Sequence, residues 1–180
     1  VINCAAYTQV DQAESDEKKA NLINHIAVKE IAKISKKNNM NLIHISTDFV
    51  FDGLNKRPYC ENDKTLPLNV YGKTKLAGER AILSIMEFNA IILRTSWVYS
   101  RYGNNFVNTI LDLCQKNGSL NIVSDQIGTP TSAYDLALSI LSIISSDKFL
   151  KNNKLSEIFH YSNKGESNWY EFANEIIRIS

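Results

Sequence analysis

The sequence predicts an α/β protein: a Rossmann-like, doubly wound parallel sheet that lacks its first β-α units. Short apolar runs alternate with longer stretches of helical period, the pattern of β-α units. Three strand ends carry polar or aromatic clusters, Ala5-Ala6-Tyr7-Thr8, Ser46-Thr47-Asp48 and Thr95-Ser96-Trp97. In open parallel sheets, ligands bind beyond the carboxyl ends of the strands, so three such clusters on one rim describe a site. No repeat, low-complexity tract or linker interrupts the pattern, which reads as one continuous domain.

Residues 1–5 read as the first strand, starting in mid-pattern. Ile23, Ala27, Ile31 and Ile34 recur at three- and four-residue spacing and mark the buried stripe of a helix over 14–37. A second strand over 41–46 stops at the polar Thr47-Asp48. Asp52-Gly53 and Pro58 lie in a long connection that runs to Pro67. A helix over 70–86 and a strand over 90–95 follow. The next helix, 105–117, ends at Gly118 as a C-terminal cap. A short strand over 120–123, an apolar helix over 133–145 and a last strand over 158–162 complete the core. Asn168 and Glu171 form a capping box for a terminal helix that reads as still in progress at Ser180. With both ends in mid-element, the chain is expected to be an internal fragment of a longer protein.

The composition, 44% hydrophobic and 22% charged, is that of an ordinary globular protein. A formal charge of +1 provides no basic field for nucleic acid or an anionic membrane. An anionic substrate must therefore be held by local donors. Cys4, Cys60 and Cys114 are odd in number and far apart, which argues against a disulfide framework or a thiolate zinc site. A reducing, cytoplasmic compartment is the expectation. No apolar run approaches the ~20 residues that span a bilayer.

The chemistry centres on Tyr71-Gly-Lys-Thr-Lys75, a phenol and an ammonium on one helical face. A free phenol has a pKa near ~10, and a neighbouring cation lowers it toward useful proton exchange. The spacing alone is common on amphipathic helices. Thr47, 24 positions before Tyr71 at the end of the preceding strand, adds a hydroxyl that can meet the phenol. Ala5-Ala6 lets the backbone approach a flat cofactor, and Trp97 offers an apolar wall with one donor. His44, inside an apolar strand, reads as a satisfied core or rim residue. Asp11, Glu14, Asp16 and Glu17 cluster at a helix start, where carboxylates suit the dipole, so they define no metal site.

Thr47, Tyr71 and Lys75 resemble the Ser/Thr–Tyr–Lys triad of the short-chain dehydrogenase/reductase superfamily. More narrowly, Ser46-Thr-Asp-Phe-Val-Phe-Asp-Gly53 and Pro67-Leu-Asn-Val-Tyr-Gly-Lys-Thr-Lys-Leu-Ala-Gly-Glu79 resemble the dTDP-4-dehydrorhamnose reductase family. So do Asn3-Cys-Ala-Ala-Tyr-Thr8, Leu93-Arg-Thr-Ser-Trp-Val-Tyr99 and Asp125-Gln-Ile-Gly-Thr-Pro-Thr131, and the resemblance covers nearly the whole chain. It implies a cytoplasmic oxidoreductase that reduces the C4 ketone of dTDP-4-dehydro-β-L-rhamnose to dTDP-L-rhamnose for cell-surface polysaccharide. Tyr71 would be the general acid, Lys75 would lower its pKa and bind the nicotinamide ribose, and Thr47 would hold the ketone oxygen. Ala5, Ala6, Tyr7 and Thr8 would line the cofactor, and Asp48, Trp97 and Val10 would meet the sugar.

The same resemblance implies NADPH as cofactor, with NADH allowed; a homodimer is open to such a chain. It associates Mg²⁺ with some members, without assignable ligands here. It also implies that residues 1–125 are the remainder of the dinucleotide-binding core and 126–180 an interleaved part of a small substrate-binding region. Phe49 stands where the family usually has Tyr, and Cys4 where it usually has Ala. The seven glycines never form Gly-x-Gly, so the turn that grips the cofactor pyrophosphate is missing. The fragment by itself is therefore expected to be inactive. Two other functions share the fold: a sugar-nucleotide epimerase or dehydratase, and a non-catalytic, reductase-like regulatory subunit.

Overall fold

The computed structural model describes residues 1–116, 119–150 and 154–180. In chain order the elements are β1 (Ile2–Asn3), α1 (Val10–Ala13), α2 (Glu17–Asn21), a π-helical turn (Leu22–Ile26), α3 (Ala27–Lys37) and β2 (Leu42–Thr47). A 3-10 turn (Asp48–Val50), α4 (Val70–Ile85) and β3 (Ala90–Thr95) follow. The remainder is β4 (Val98–Tyr99), α5 (Phe106–Lys116), β5 (Ile127–Gly128), β6 (Thr131–Ser132), α6 (Ala133–Ile144), α7 (Asp147–Leu150), β7 (Glu157–His160), β8 (Ser167–Asn168) and α8 (Trp169–Ile179). Packing divides them into two units, residues 1–94 with 142–160, and residues 95–141 with 161–180. The expected change of region at 125–126 falls inside the second unit.

In the first unit, four strands lie in the order β1-β2-β3-β7, with β1 parallel to β2 and β3 parallel to β7. This is the α/β architecture expected from the sequence. Leu42, Ala90 and Ile92 of the strands pack with Val28, Ala32, Ile82 and Met86 of the helices as a sealed core. Each large aliphatic side chain buried in this way stabilises the fold by roughly 1.5–3 kcal/mol.

The helix expected over 14–37 starts three residues later, at Glu17, and runs to Lys37 through the π-helical turn. A first turn begins at Val10, breaks after Ala13, and resumes at Glu17. Glu14 instead leaves the helix and accepts a hydrogen bond from the Val70 backbone N–H at 2.7 Å, at the start of α4. The buried stripe also runs one residue away from the expected one: Ala20, Asn24, Val28, Ala32 and Ser35 face inward, whereas Ile34 is 55% exposed. The cause is close approach of two helices. A side chain at Gly78 would collide with the Asn24 carbonyl, so small residues occupy the contact and the isoleucines move to its flanks. The π-helical turn at 22–26 places Asn24 at that point.

In the second unit, α5 and α8 pack through Ile110, Ala173 and Ile176, with Phe106 and Phe172 at the edge. The strand expected over 120–123 does not form: Leu120 and Ile122 bury themselves against this helical cluster instead. Packing against that cluster meets their apolar demand without a strand. β4 pairs with β6 in parallel, and β5 with β8 antiparallel. The capping box at Asn168 and Glu171 is present. The cap expected at Gly118 lies outside the described residues. Among the described residues no helix is long and apolar enough to cross a membrane.

Candidate active site

β2 delivers Thr47 and Asp48 to its carboxyl end. Thr47 is buried, and its Oγ1 accepts from the Phe49 N–H at 3.2 Å while donating to Asp48 Oδ1 at 3.1 Å. The first contact caps the 3-10 turn, so the chain reverses just where the two polar side chains are needed. Burial pushes the Asp48 carboxyl up to about 6, against hydrogen bonds from Thr47 and the local backbone that favour the carboxylate.

α4 delivers Tyr71 and Lys75. Its N-terminus is capped by Asn69, whose side chain accepts from the Gly72 N–H at 2.7 Å. Any side chain at Gly72 would strike the Phe49 carbonyl, so glycine is what lets α4 approach the end of β2. Tyr71 is half-buried against Tyr7, Ala13 and Ala20, with the Phe49 ring edge-on at 5.6 Å and 76°.

The Tyr71 phenol lies above its ordinary pKa, whereas its spacing from Lys75 predicts a value below. Burial raises it most, the Asp48 carboxylate adds to this, and a hydrogen bond with Thr47 opposes both. Lys75 turns instead to the sheet, donating from Nζ to the Ile45 carbonyl at 2.6 Å and lying 3.4 Å from His44 Nε2. Burial lowers the Lys75 ammonium to about 8, opposed chiefly by the charge of Glu79. Thr47 and Tyr71 thus sit where the end of β2 meets the start of α4, with the Phe49 ring against Tyr71, and Lys75 is anchored on β2 through the Ile45 carbonyl.

The turn after β1 is pinned by two asparagines. Asn3 Oδ1 accepts from the Ala5 N–H at 3.2 Å. The Asn24 side chain takes both backbone groups of Tyr7, accepting at 2.8 Å and donating at 3.1 Å, and donates to Thr74 Oγ1 at 3.1 Å. Asn24 therefore ties this turn to α4. Ala5 and Thr8 are exposed, Ala6 is half-buried and Tyr7 is buried. Val10, half-buried, opens α1.

Two buried polar groups lie at this end of the sheet: the Glu79–Arg94 pair, which the sequence did not single out, and His44, which it did. Glu79 binds Arg94 through both carboxylate oxygens, with Nη2 to Oε2 at 2.7 Å, and accepts a hydrogen bond from Ser46. Arg94 also covers the Phe51 ring at 5.1 Å, and Phe51 stacks on Tyr59 at 4.3 Å. His44, fully buried, stands between Asn3 and Lys75. The available signal was a polar residue inside an otherwise apolar run, which marks both His44 and Ser46.

Trp97 belongs to the second unit. Its ring stacks on Trp169 at 3.5 Å and 12°, and its backbone sits at φ 46°, a left-handed conformation rare for a bulky residue. Trp169 is fixed in turn by donating to Gln126 Oε1 at 3.1 Å. Among the described residues, no group of three or more His, Cys, Asp or Glu side chains could hold a metal ion, so Mg²⁺ gains no ligands here. All three cysteines are free and exposed.

A hydroxyl, a phenol and a buried ammonium are thus gathered at the adjoining ends of β2 and α4. The family model described as RmlD substrate binding domain matches residues 1–180. The chain belongs to that family. Among RmlD-family relatives, the dTDP-4-dehydrorhamnose reductase of Sinorhizobium fredii is 44% identical over 179 residues, 99% of this chain and 60% of that protein. The solved dTDP-4-dehydrorhamnose reductase of Bacillus anthracis, in complex with NADP, is 39% identical with a TM-score of 0.90, over 99% of this chain and 61% of that one. The Clostridium acetobutylicum reductase structure is 42% identical, with a TM-score of 0.91 and the same coverage. The chain thus spans about 60% of the length of the RmlD-family proteins it matches.

Proposed function

We propose that this RmlD-family chain carries the proton-delivery part of a cytoplasmic, NADPH-dependent reductase acting on the C4 ketone of dTDP-4-dehydro-β-L-rhamnose. The product is dTDP-L-rhamnose, a precursor for cell-surface polysaccharide. The observation that carries this is the close approach of the α4 N-terminus to the end of β2, where Tyr71 meets the Phe49 ring, Thr47 bonds Asp48, and Lys75 bonds the Ile45 carbonyl.

Tyr71 is the general acid: a phenol held above its ordinary pKa stays protonated at neutral pH and has a proton to give. Thr47 fixes the phenol and the ketone oxygen in one place. Asp48, half-buried at the same strand end, accepts from the sugar hydroxyls. Val10 borders the same sugar. Lys75 supplies positive charge under the developing phenolate.

The residues present suit the nicotinamide end of the cofactor. Ala5 and Ala6 carry only methyl side chains at an accessible strand end, and Tyr7 and Thr8 continue that surface. Lys75 is the donor for the ribose. NADPH, when bound, supplies the hydride to C4. The glycine turn for its pyrophosphate is not in this sequence. A homodimer belongs to the same proposal, and light scattering on the full-length protein tests it.

The deciding experiment is NADPH oxidation by the full-length protein with a panel of dTDP-, GDP- and UDP-4-ketosugars. Stoichiometric NADPH consumption with the dTDP-4-keto-6-deoxyhexose is the expected result. Turnover of sugar without net NADPH consumption would instead identify an epimerase or dehydratase, which regenerates its cofactor in each cycle.

A further inference from the structure

Lys75 does not stand alone behind Tyr71. The Nε2 atom of His44 lies 3.4 Å from Lys75 Nζ, and the opposite ring nitrogen, Nδ1, lies 3.0 Å from the Asn3 side-chain nitrogen. Asn3 in turn accepts, through Oδ1, from the Ala5 N–H in the turn where the cofactor is proposed to lie. The chain of contacts therefore runs Lys75–His44–Asn3–Ala5 through three elements, α4, β2 and β1. His44 is fully buried, and both Lys75 and Asn3 are nearly so.

Proton counting constrains this chain. A neutral imidazole carries one N–H, so one ring nitrogen donates and the other accepts. Burial and the Lys75 charge push His44 down to about 3, so the ring stays neutral whatever Lys75 does. When Lys75 is an ammonium, it donates to Nε2. The ring proton then sits on Nδ1 and needs an acceptor, which only Asn3 Oδ1 can provide, after a turn of the amide that withdraws this oxygen from Ala5. When Lys75 is a neutral amine, Nε2 carries the proton and donates to the lysine. Nδ1 then accepts from the Asn3 amide, and Oδ1 remains on the Ala5 N–H. The ring neither gains nor loses a proton between these states; the proton that leaves Lys75 goes to solvent or substrate.

We propose that His44 and Asn3 are positioning residues that couple the charge of Lys75 to the backbone turn at Ala5. This deepens the reductase proposal and rests on Lys75 being part of its site. Proton delivery at Tyr71 and the fit of the cofactor-side turn would then change together. The titratable groups facing Lys75 are Glu79 on its own helix, whose charge favours the ammonium form, Cys4 just after β1, and His44 on β2. Removing His44 leaves the Glu79 charge intact, which makes the coupling separable.

The test is ¹⁵N-histidine NMR on the full-length protein from about pH 6 to about pH 10, the span over which a lysine near 8 changes charge. The His44 signals are expected to pass from the Nδ1–H to the Nε2–H tautomer with a midpoint near that of Lys75, without an imidazolium signature. Lys75→Met should abolish the transition. A single tautomer throughout, or a transition that persists in Lys75→Met, overturns the proposal. Neither result depends on reductase activity, so this failure is distinct from failure of the functional assignment.

Kinetics provides the second arm. His44→Leu should lower kcat about tenfold and move the pH profile of kcat, with His44→Gln recovering part of the loss. That effect is smaller than the ~100-fold or greater expected for loss of an acid itself. A His44→Leu protein with the parent pH profile would also overturn the coupling.

Discussion

Glu79 and Arg94 form a two-pronged ion pair at 2.7 Å with only 1% and 4% of their side-chain surfaces exposed. The pair clamps α4 to β3, and through Ser46 it reaches the residue before Thr47. It therefore sets where Tyr71 stands relative to Thr47.

Breaking one half of such a pair leaves a charge buried and unpaired. Glu79→Gln or Arg94→Met is expected to destabilise the protein by about 3–5 kcal/mol. The double variant Glu79→Leu/Arg94→Met should lose much less, because neither charge is then stranded. Urea unfolding of the three variants measures both effects; equal losses in single and double variants would contradict this account.

Tyr71→Phe removes the proposed proton donor without changing the ring. It should keep the fold and lose about 10²–10⁴-fold in turnover, the range typical of a general acid. A steady-state rate assay with circular dichroism as the folding control decides the matter, and an unchanged rate would exclude Tyr71 as the acid.

Asp48 is held up to about 6 in the folded protein, against 3.8 for the unperturbed group. A raised carboxyl pKa means that the folded state binds the proton more tightly, so ionising Asp48 costs stability. Below the unfolded value there is no penalty; it grows as pH rises from the unfolded value to the folded one and is nearly full at neutrality. Asp48→Asn is expected to stabilise the protein at pH 7 by about 1–2 kcal/mol, with the gain vanishing as pH falls from about 6 toward 4. Thermal melts across that range check the sign.

Gly78 has no room for a side chain because the Asn24 carbonyl occupies the place. Gly78→Ala should cost about 1–3 kcal/mol by overpacking, despite the better helix propensity of alanine. It should also loosen the turn that Asn24 holds through Tyr7, raising the KM for NADPH more than it lowers kcat. A variant as stable as the parent would show that the two helices can separate freely.

Where local pattern and packing agreed, the elements stand as the sequence predicts. Strand 90–95 is β3, the helix over 70–86 is α4 to within one residue, and the capping box holds α8. Where they disagreed, packing prevailed. Ile23, Ala27, Ile31 and Ile34 have an ideal helical period, yet the buried stripe runs through Ala20, Asn24, Val28 and Ala32. A period identifies a helix but not which of two adjacent stripes a neighbour can approach most closely. Leu120 and Ile122 illustrate the same limit, since apolar residues require burial and not a strand.

By itself the sequence determined the α/β class and singled out Tyr71 and Lys75 as candidates on one helical face, because periodicity and spacing are properties of near neighbours. Tertiary structure alone decided what surrounds them. His44 meets Asn3 across 41 positions, and Asn24 meets Thr74 across 50. It also decided the direction of the Tyr71 pKa, which follows burial and the Asp48 carboxylate, while the Lys75 ammonium is anchored on the Ile45 carbonyl. Desolvation and hydrogen-bond partnership depend on which distant segments are packed together, and no local spacing encodes that.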